Sequence, residues 1–386
     1  MPAHASHVQR MTAGSASKRG AGLGSLKITL DDLSEEQPLL EVVREPGLLA
    51  ALNRFLSGDR SLTALEVLRT LMGRESNPNS PTLQLCRTAI FYSPCFPSLK
   101  NLAGSGGTLE LKQSAWAAIL AVSRMDEDRL WEMLSSPGMF ALLQAGLESA
   151  DHSIAQKSAI ITYNLCRDET TATAIFYSIC FPSLKNLAAS GVTLARKRCG
   201  MAAIQGVSYM EQDRLMEMLY SPGMVALLKA GLESADSCIA EYSTTTISNL
   251  CCDETTGSAI FDSPCFPSLK KLAASGITLE RRRCGMVAIQ AISCMEEGRR
   301  TDMLDSPGMV ALLETGLESA DSSIAEYSTT TISNLCCDET TASAVLDSHP
   351  DLVQGLAETF CNVGVSDKFR GKSQLHKTRL FPSHSN

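Results

Sequence analysis

The sequence contains no uninterrupted apolar run near the roughly 18 residues that a membrane-spanning helix requires, which excludes a helical span. Histidine is scarce as well, at six in 386 residues. His4, His7, His376 and His384 lie near the two ends, and His152 and His349 each occur in one copy of the repeat described below. No repeated site can therefore use the commonest general base and metal ligand. There is no Gly-x-Ser-x-Gly, no phosphate-binding loop, no Gly-x-Gly-x-x-Gly after a strand and no His-Glu-x-x-His, so no enzyme class is supported and no cofactor is expected. The first thirty residues have no apolar core of secretory length. A reducing intracellular compartment is expected, in which the fourteen cysteines remain thiols.

What the sequence does contain is a repeat. Residues Ser221 to Ile260 recur from Ser136 and from Ser306, and the third copy differs from the second at five of forty positions. The full period is 85 residues, with copies starting at Phe91, Phe176 and Phe261. Each period is double, because SICFPSLKNLAASGVTL at Ser178 has the layout of SPGMVALLKAGLESADS at Ser221, 43 residues on. The unit is thus 42 to 43 residues, a length typical of stacked helical repeats.

Within a unit, a short helix is expected after Asp253, a break at Ser263-Pro264, a second helix, and a longer third helix from about Asp236 in the neighbouring unit. Ser, Asp or Thr ahead of an apolar run supplies the N-cap, and Pro fits the first turn. At 100° per residue, Ile239, Tyr242, Ser243, Thr246, Ile247 and Leu250 share one face of that third helix, with Glu241, Thr245, Ser248 and Cys252 opposite and Asn249 at the margin. One apolar stripe per helix cannot form a core alone, so neighbouring units must stack.

AIFDSPCFPSLKKLA at Ala259 and SIAEYSTTTISNLC at Ser323 resemble the first two helices and the Asn-Leu-ended third helix of an armadillo repeat, over about residues 45 to 360. Ser-Pro-Cys or Ser-Pro-Gly stands where that family usually has a Gly turn. The resemblance implies an all-α, right-handed superhelical solenoid of seven full three-helix units and a partial eighth, its third helices lining a concave groove. In the importin alpha and catenin branches that groove takes extended peptides, and the third-helix Asn bonds the peptide backbone. The matching residues are Asn164, Asn249 and Asn334, in every second unit, because Ala121, Gly206 and Ala291 stand there in the others. Ile160, Thr245 and Thr330 replace the Trp of the import adaptors, which speaks against nuclear-signal recognition.

Three parts are expected along the chain: a disordered basic tail at 1–28, the repeat array at 29–363 and a basic tail at 364–386. The first segment carries Arg10, Lys18, Arg19 and Lys27 without an acid and is rich in Ala, Ser and Gly, a composition that cannot fold by itself. It also fits an organelle transit peptide, the alternative to a plain tail. A helix is expected between Thr29 and Glu45, then a diverged terminal unit from EPGLLAAL, and a loop at Arg74 to Thr82. Cys251-Cys252 and Cys336-Cys337 match no zinc spacing, and helix packing is the expected role of most cysteines.

The head adds +4 and residues 352–386 add a net +3 to a chain whose total is −8, so the stretch between them carries −15. A phosphate backbone demands a basic face, which argues against nucleic acid as partner of the array. The expected function is a protein-binding scaffold, cytoplasmic or nuclear, taking protein or extended peptide segments and no membrane. A structural spacer without a peptide site is the alternative, and an enzyme or metal site in an unrecognised loop is a weaker third. When the two kinds of third helix are aligned, the expected groove face comprises Arg198, Gln205, Glu241, Thr245, Ser248, Arg283, Gln290, Glu326, Thr330 and Ser333 beside the three Asn. The sequence Arg198, Glu241, Arg283, Glu326 alternates in sign, which predicts a charge ladder across neighbouring third helices, with Gln113 and Gln156 as its uncharged counterparts.

Overall fold

The structure, a computed structural model, describes residues 3–13, 16–31, 36–58, 60–73, 80–105, 107–276, 278–337 and 339–362. It forms two compact units, divided between Thr256 and Gly257. The first begins with a helix pair, α1 (Ala3–Ala13) and α2 (Ala16–Asp31). Triplets follow: α3 (Glu36–Arg44), α4 (Leu48–Leu56) and α5 (Ser61–Leu71), then α6 (Pro81–Phe91), α7 (Cys95–Ser105) and α8 (Leu109–Val122). The next two are α9 (Leu130–Ser135), α10 (Met139–Leu147) and α11 (His152–Leu165), and α12 (Glu169–Phe176), α13 (Cys180–Ser190) and α14 (Leu194–Val207). The fifth is α15 (Leu215–Tyr220), α16 (Met224–Leu232) and α17 (Ser237–Leu250). After α18 (Glu254–Phe261), the second unit contains α19 (Cys265–Ser275), α20 (Leu279–Ile292), α21 (Arg300–Leu304), α22 (Met309–Leu317) and α23 (Ser322–Leu335), and closes with α24 (Glu339–Ser348) and α25 (Pro350–Asn362). No strand occurs among the described residues.

The third helices α8, α11, α14, α17, α20 and α23 start at 109, 152, 194, 237, 279 and 322, so successive starts alternate between 43 and 42 residues apart. Their N-caps alternate too. Thr108, Thr193 and Thr278 accept from Leu111, Arg196 and Arg281 at 3.2, 3.3 and 3.3 Å, and Asp151, Asp236 and Asp321 accept from Ile154, Ile239 and Ile324 at 2.9, 3.0 and 3.1 Å. Each cap satisfies a backbone donor that the first helical turn leaves open. Asp253 does the same for α18, accepting from Thr256 N at 2.7 Å.

The Ser-Pro-Gly turn has a backbone reason. Gly138, Gly223 and Gly308 precede α10, α16 and α22 with φ of 78°, 80° and 78°, a left-handed conformation that costs glycine least. Gly47, before α4, has φ 81°, so EPGLLAAL is the same half-unit. Along α17 the expected inner stripe is buried at Ile239, Ser243, Thr246, Ile247 and Leu250, and Tyr242 is half-buried. The hydroxyls inside that stripe donate to their own helix, Ser243 to Ile239 O at 2.8 Å and Thr246 to Tyr242 O at 2.7 Å, so polar groups enter the core without losing partners.

The N-terminal segment departs from expectation. Where composition implies a disordered tail over 1–28, α1 and α2 form instead, and α2 runs to Asp31 with α3 starting at Glu36. Val8, Met11, Leu23, Leu26 and Leu30 are buried. The pair packs on the first triplet, α1 on α4 and α2 on α5. Arg60 Nη1 donates to Gly20 O at 2.8 Å, and Lys27 pairs with Glu66. Composition misses this because α1 and α2 pack on each other and on the open side of the first triplet, which together cover their apolar residues. The expected basic tail at 364–386, and residues 74–79 of the expected loop, lie outside the described residues.

Candidate functional site

In the first unit α2 packs on α5, α5 on α8, α8 on α11, α11 on α14 and α14 on α17, and in the second α20 packs on α23. The predicted site residues stand on these third helices. Arg198 is exposed, and Glu241, Thr245, Ser248, Asn249 and Asn164 are half-buried. In the second unit Arg283, Glu326 and Ser333 are exposed, and Gln290, Thr330 and Asn334 are half-buried.

Gln205 does not join them. It is 3% exposed, and its Nε2 donates to the Tyr209 hydroxyl at 3.2 Å. The cause is the close approach of α11 to α14. A Cβ on the next residue, Gly206, would stand 3.1 Å from atoms of both Tyr163 and Cys166. A side chain there would need these neighbours to give by a few tenths of an ångström, so the position is tight for anything larger than Gly.

Nor is Arg198 the rung of a ladder with Glu241. Its Nε lies 3.0 Å from both carboxylate oxygens of Asp236, the N-cap of α17, and its Nη2 bonds the same carboxylate. Arg283 repeats this with Asp321, Nε at 3.0 and 3.1 Å. In the first copy Gln113 Nε2 donates to Asp151 at 3.0 Å. The cap carboxylate takes the guanidinium because the helix start already fixes it, so a two-point contact needs only one side chain to be ordered. The bond from Arg198 holds the Asp236 carboxyl below the usual carboxylate range and Asp236 raises the guanidinium in return, and Arg283 holds Asp321 down in the same way. Two of the four expected rungs are therefore charge-neutral pairs.

The Asn ladder is engaged internally. Nδ2 of Asn164, Asn249 and Asn334 donates to Oγ of Ser123, Ser208 and Ser293 at 2.9, 2.8 and 2.9 Å. Each Ser caps the preceding third helix and donates in turn to that helix's backbone, Ser208 to Gln205 O at 2.7 Å. In Asn334 the amide also donates to Cys294 Sγ at 3.3 Å, whereas in Asn164 and Asn249 the bond to Ser uses one of the two amide hydrogens and the side chain retains capacity for a further contact. The hydroxyls of Thr245, Ser248 and Thr330 donate backward to Glu241 O, Thr244 O and Glu326 O at 3.0, 3.1 and 2.9 Å, which turns their lone pairs outward. Burial pushes the Tyr242 phenol up to about 12, and it stays neutral.

Two recurrent groups escape a reading of the sequence. Lys100, Lys185 and Lys270, on the second helices, donate to Pro137 O, Pro222 O and Pro307 O of the next unit's turn at 2.8, 2.9 and 3.0 Å. Each also sits over a phenylalanine ring of its own helix, Phe96, Phe181 or Phe266, at 5.3, 5.0 and 4.9 Å. Burial lowers all three ammonium pKa values. On another surface, Tyr92 and Tyr177 donate to Glu132 and Glu217 at 2.5 and 2.7 Å, and Arg129 and Arg214 hold the same carboxylates. In the third copy Asp262 replaces the Tyr and bonds Arg299 directly. Fixed spacing was the only sequence signal for these groups, and it names no partner.

No protein-family model matches the chain, and no curated protein matches it. Among solved structures, an engineered protein superposes with a TM-score of 0.65 at 14% identity, over 95% of this chain and 100% of its own. A designed armadillo repeat protein matches 62% of this chain and 99% of its own, with a TM-score of 0.55 and 15% identity. A structure of computationally designed armadillo repeat proteins for modular peptide recognition covers 62% and 99% with a TM-score of 0.55 and 14% identity. The chain thus has the fold of an armadillo-like helical repeat solenoid. No described helix is long and apolar enough to cross a membrane.

Proposed function

We propose that this protein is a non-enzymatic binding scaffold whose third-helix face takes extended protein segments. The observation that carries the reading is the face itself. Third helices stand side by side within each unit, and Thr245 and Ser248 present outward lone pairs beside the spare amide hydrogen of Asn249, with Thr330, Ser333 and Asn334 at the matching places of the third copy. A main chain lying across such a face finds donors and acceptors at fixed intervals, and side-chain pockets between helices add selectivity. The likeness to designs for peptide recognition supports the same use. The −15 charge of the region between the two ends makes nucleic acid a poor partner. Cytoplasm or nucleus is the compartment this reading assigns.

The alternative, a spacer with no peptide site, draws on one specific observation: Asn164, Asn249 and Asn334 already bond Ser123, Ser208 and Ser293. Selection of a random peptide library on the full chain separates the two. The scaffold reading predicts enriched sequences whose binding falls when Thr245, Ser248 and Asn249 are changed to Ala. Absence of enrichment, or binding indifferent to those changes, supports the spacer.

A further inference from the structure

The Ser-Pro dipeptides of this chain are of two kinds. At Ser80, Ser93 and Ser263 the hydroxyl oxygen accepts from the backbone of its own turn, from Leu83 N at 3.4 Å, Cys95 N at 3.1 Å and Cys265 N at 3.2 Å. At Ser136, Ser221 and Ser306 it accepts instead from the second helix of the preceding unit: Lys100, Lys185 and Lys270 donate to these oxygens at 3.0, 3.4 and 3.2 Å. Each ammonium also holds the following Pro carbonyl and covers a phenylalanine ring. Among the described residues no carboxylate pairs with any of the three, and burial alone lowers their pKa values. A partly buried cation whose partners are all neutral is half of an ion pair, and the serine oxygen is where the other half would stand.

The turn around each of these serines is open. Ser135 and Pro137, Tyr220 and Pro222, and Asp305 and Pro307 are exposed on either side of them. Ser136 and Ser221 have extended backbone, with φ −61° and ψ 137° in the first and φ −60° and ψ 138° in the second, the form in which a kinase takes a substrate segment. A groove of about 490 Å³, whose wall includes Lys100, Pro137 and Gly138, opens beside the first turn. A Cβ on Gly138, Gly223 or Gly308 would meet nothing within 4 Å, so no side chain crowds these turns against a tetrahedral group.

We propose that Ser136, Ser221 and Ser306 are phosphorylated by a proline-directed serine kinase with ATP, and that the lysine of the preceding second helix receives each phosphate. In the transfer the serine oxygen bonds the γ-phosphorus, the bond from that phosphorus to the ADP oxygen breaks, and the hydroxyl proton passes to the kinase's catalytic carboxylate. The product sets a charge of about −2 against one ammonium. A charge-assisted contact then replaces a neutral one at the joint between second helices, which tightens one unit on the next. The modification acts on that joint, whatever the third-helix face binds.

Two measurements on the full chain test the assignment. Incubation of the folded protein with ATP, magnesium and a proline-directed kinase, followed by mass-spectrometric mapping, should place phosphate on Ser136, Ser221 and Ser306. Phosphoserine installed at residue 221 by amber suppression should, by phosphorus NMR, lose its second proton about one pH unit below a synthetic phosphopeptide of residues 216–226, for which the ordinary value is about 6. In a Lys185→Gln chain with unchanged circular dichroism, that difference should largely disappear. The proposal is overturned if the folded chain takes no phosphate at the three serines or takes it only at Ser80, Ser93 or Ser263. It is equally overturned if the residue-221 phosphate titrates with the peptide, a comparison that needs no variant, or if its shift survives Lys185→Gln.

Discussion

Asn249 Nδ2 donates to Ser208 Oγ across 2.8 Å, joining the end of one third helix to the cap of the one before it. The residue that a family resemblance assigns to a partner's backbone is in this chain also a clasp between units. Changing Asn249 to Ala removes the bond and leaves the Ser208 oxygen short of a donor, a loss of about 1 kcal/mol. In a double-mutant cycle with Ser208→Ala, urea unfolding should give a coupling of about 0.5 to 1.5 kcal/mol. Strict additivity would show that the clasp contributes nothing to stability.

The lysine straps act between units as well. Lys185 joins the α13 helix to the turn at Pro222 and covers the Phe181 ring, so Lys185→Met should destabilise by about 1 kcal/mol even though it retains the stem's length and apolar character. Lys271→Met, at an exposed position one residue beyond the equivalent lysine, should stay within about 0.5 kcal/mol. Equal effects in thermal melts of the two variants would refute the strap.

Acid should weaken the pairs at the third-helix caps. Arg198 depresses the folded-state pKa of Asp236, so the group contributes stability in full above its unfolded value of about 3.9 and loses it as pH falls through the lower folded value. The stability gap between wild type and Asp236→Asn should therefore be widest near neutrality and close progressively on acidification below about pH 4. Denaturant titrations across that range check the sign; a gap that grows as pH falls contradicts it.

Much of the architecture was legible because each local signal agreed with the period: Asp236 before an apolar stripe, Pro222-Gly223 before LVxLL-like residues, and Asn249-Leu250 at a helix end. The N-terminal pair was not, since Val8, Met11, Leu23 and Leu26 are buried where α1 and α2 pack on each other and on α4 and α5, an arrangement that composition does not encode. At the face, the wheel sets Thr245 and Ser248 opposite the buried stripe, and both are half-buried. Gln205 was misplaced because rotation about one helix says nothing of how near its neighbour comes. The same blindness hid the partners of Arg198 and Asn249, both of which sit on adjacent helices 38 and 41 residues away in sequence. Interhelical bonds of that kind depend on stacking distance, which no single unit encodes.

The claim that partners lie along the third helices is tested most directly by photo-crosslinking a library-selected peptide to the full chain and locating the adducts by mass spectrometry. The account predicts adducts on Gln156, Ile160, Glu241, Thr245 or Ser248, and their loss on competition with unlabelled peptide. Adducts confined to the second-helix surface, at Pro97, Ala141 or Ala226, would contradict it.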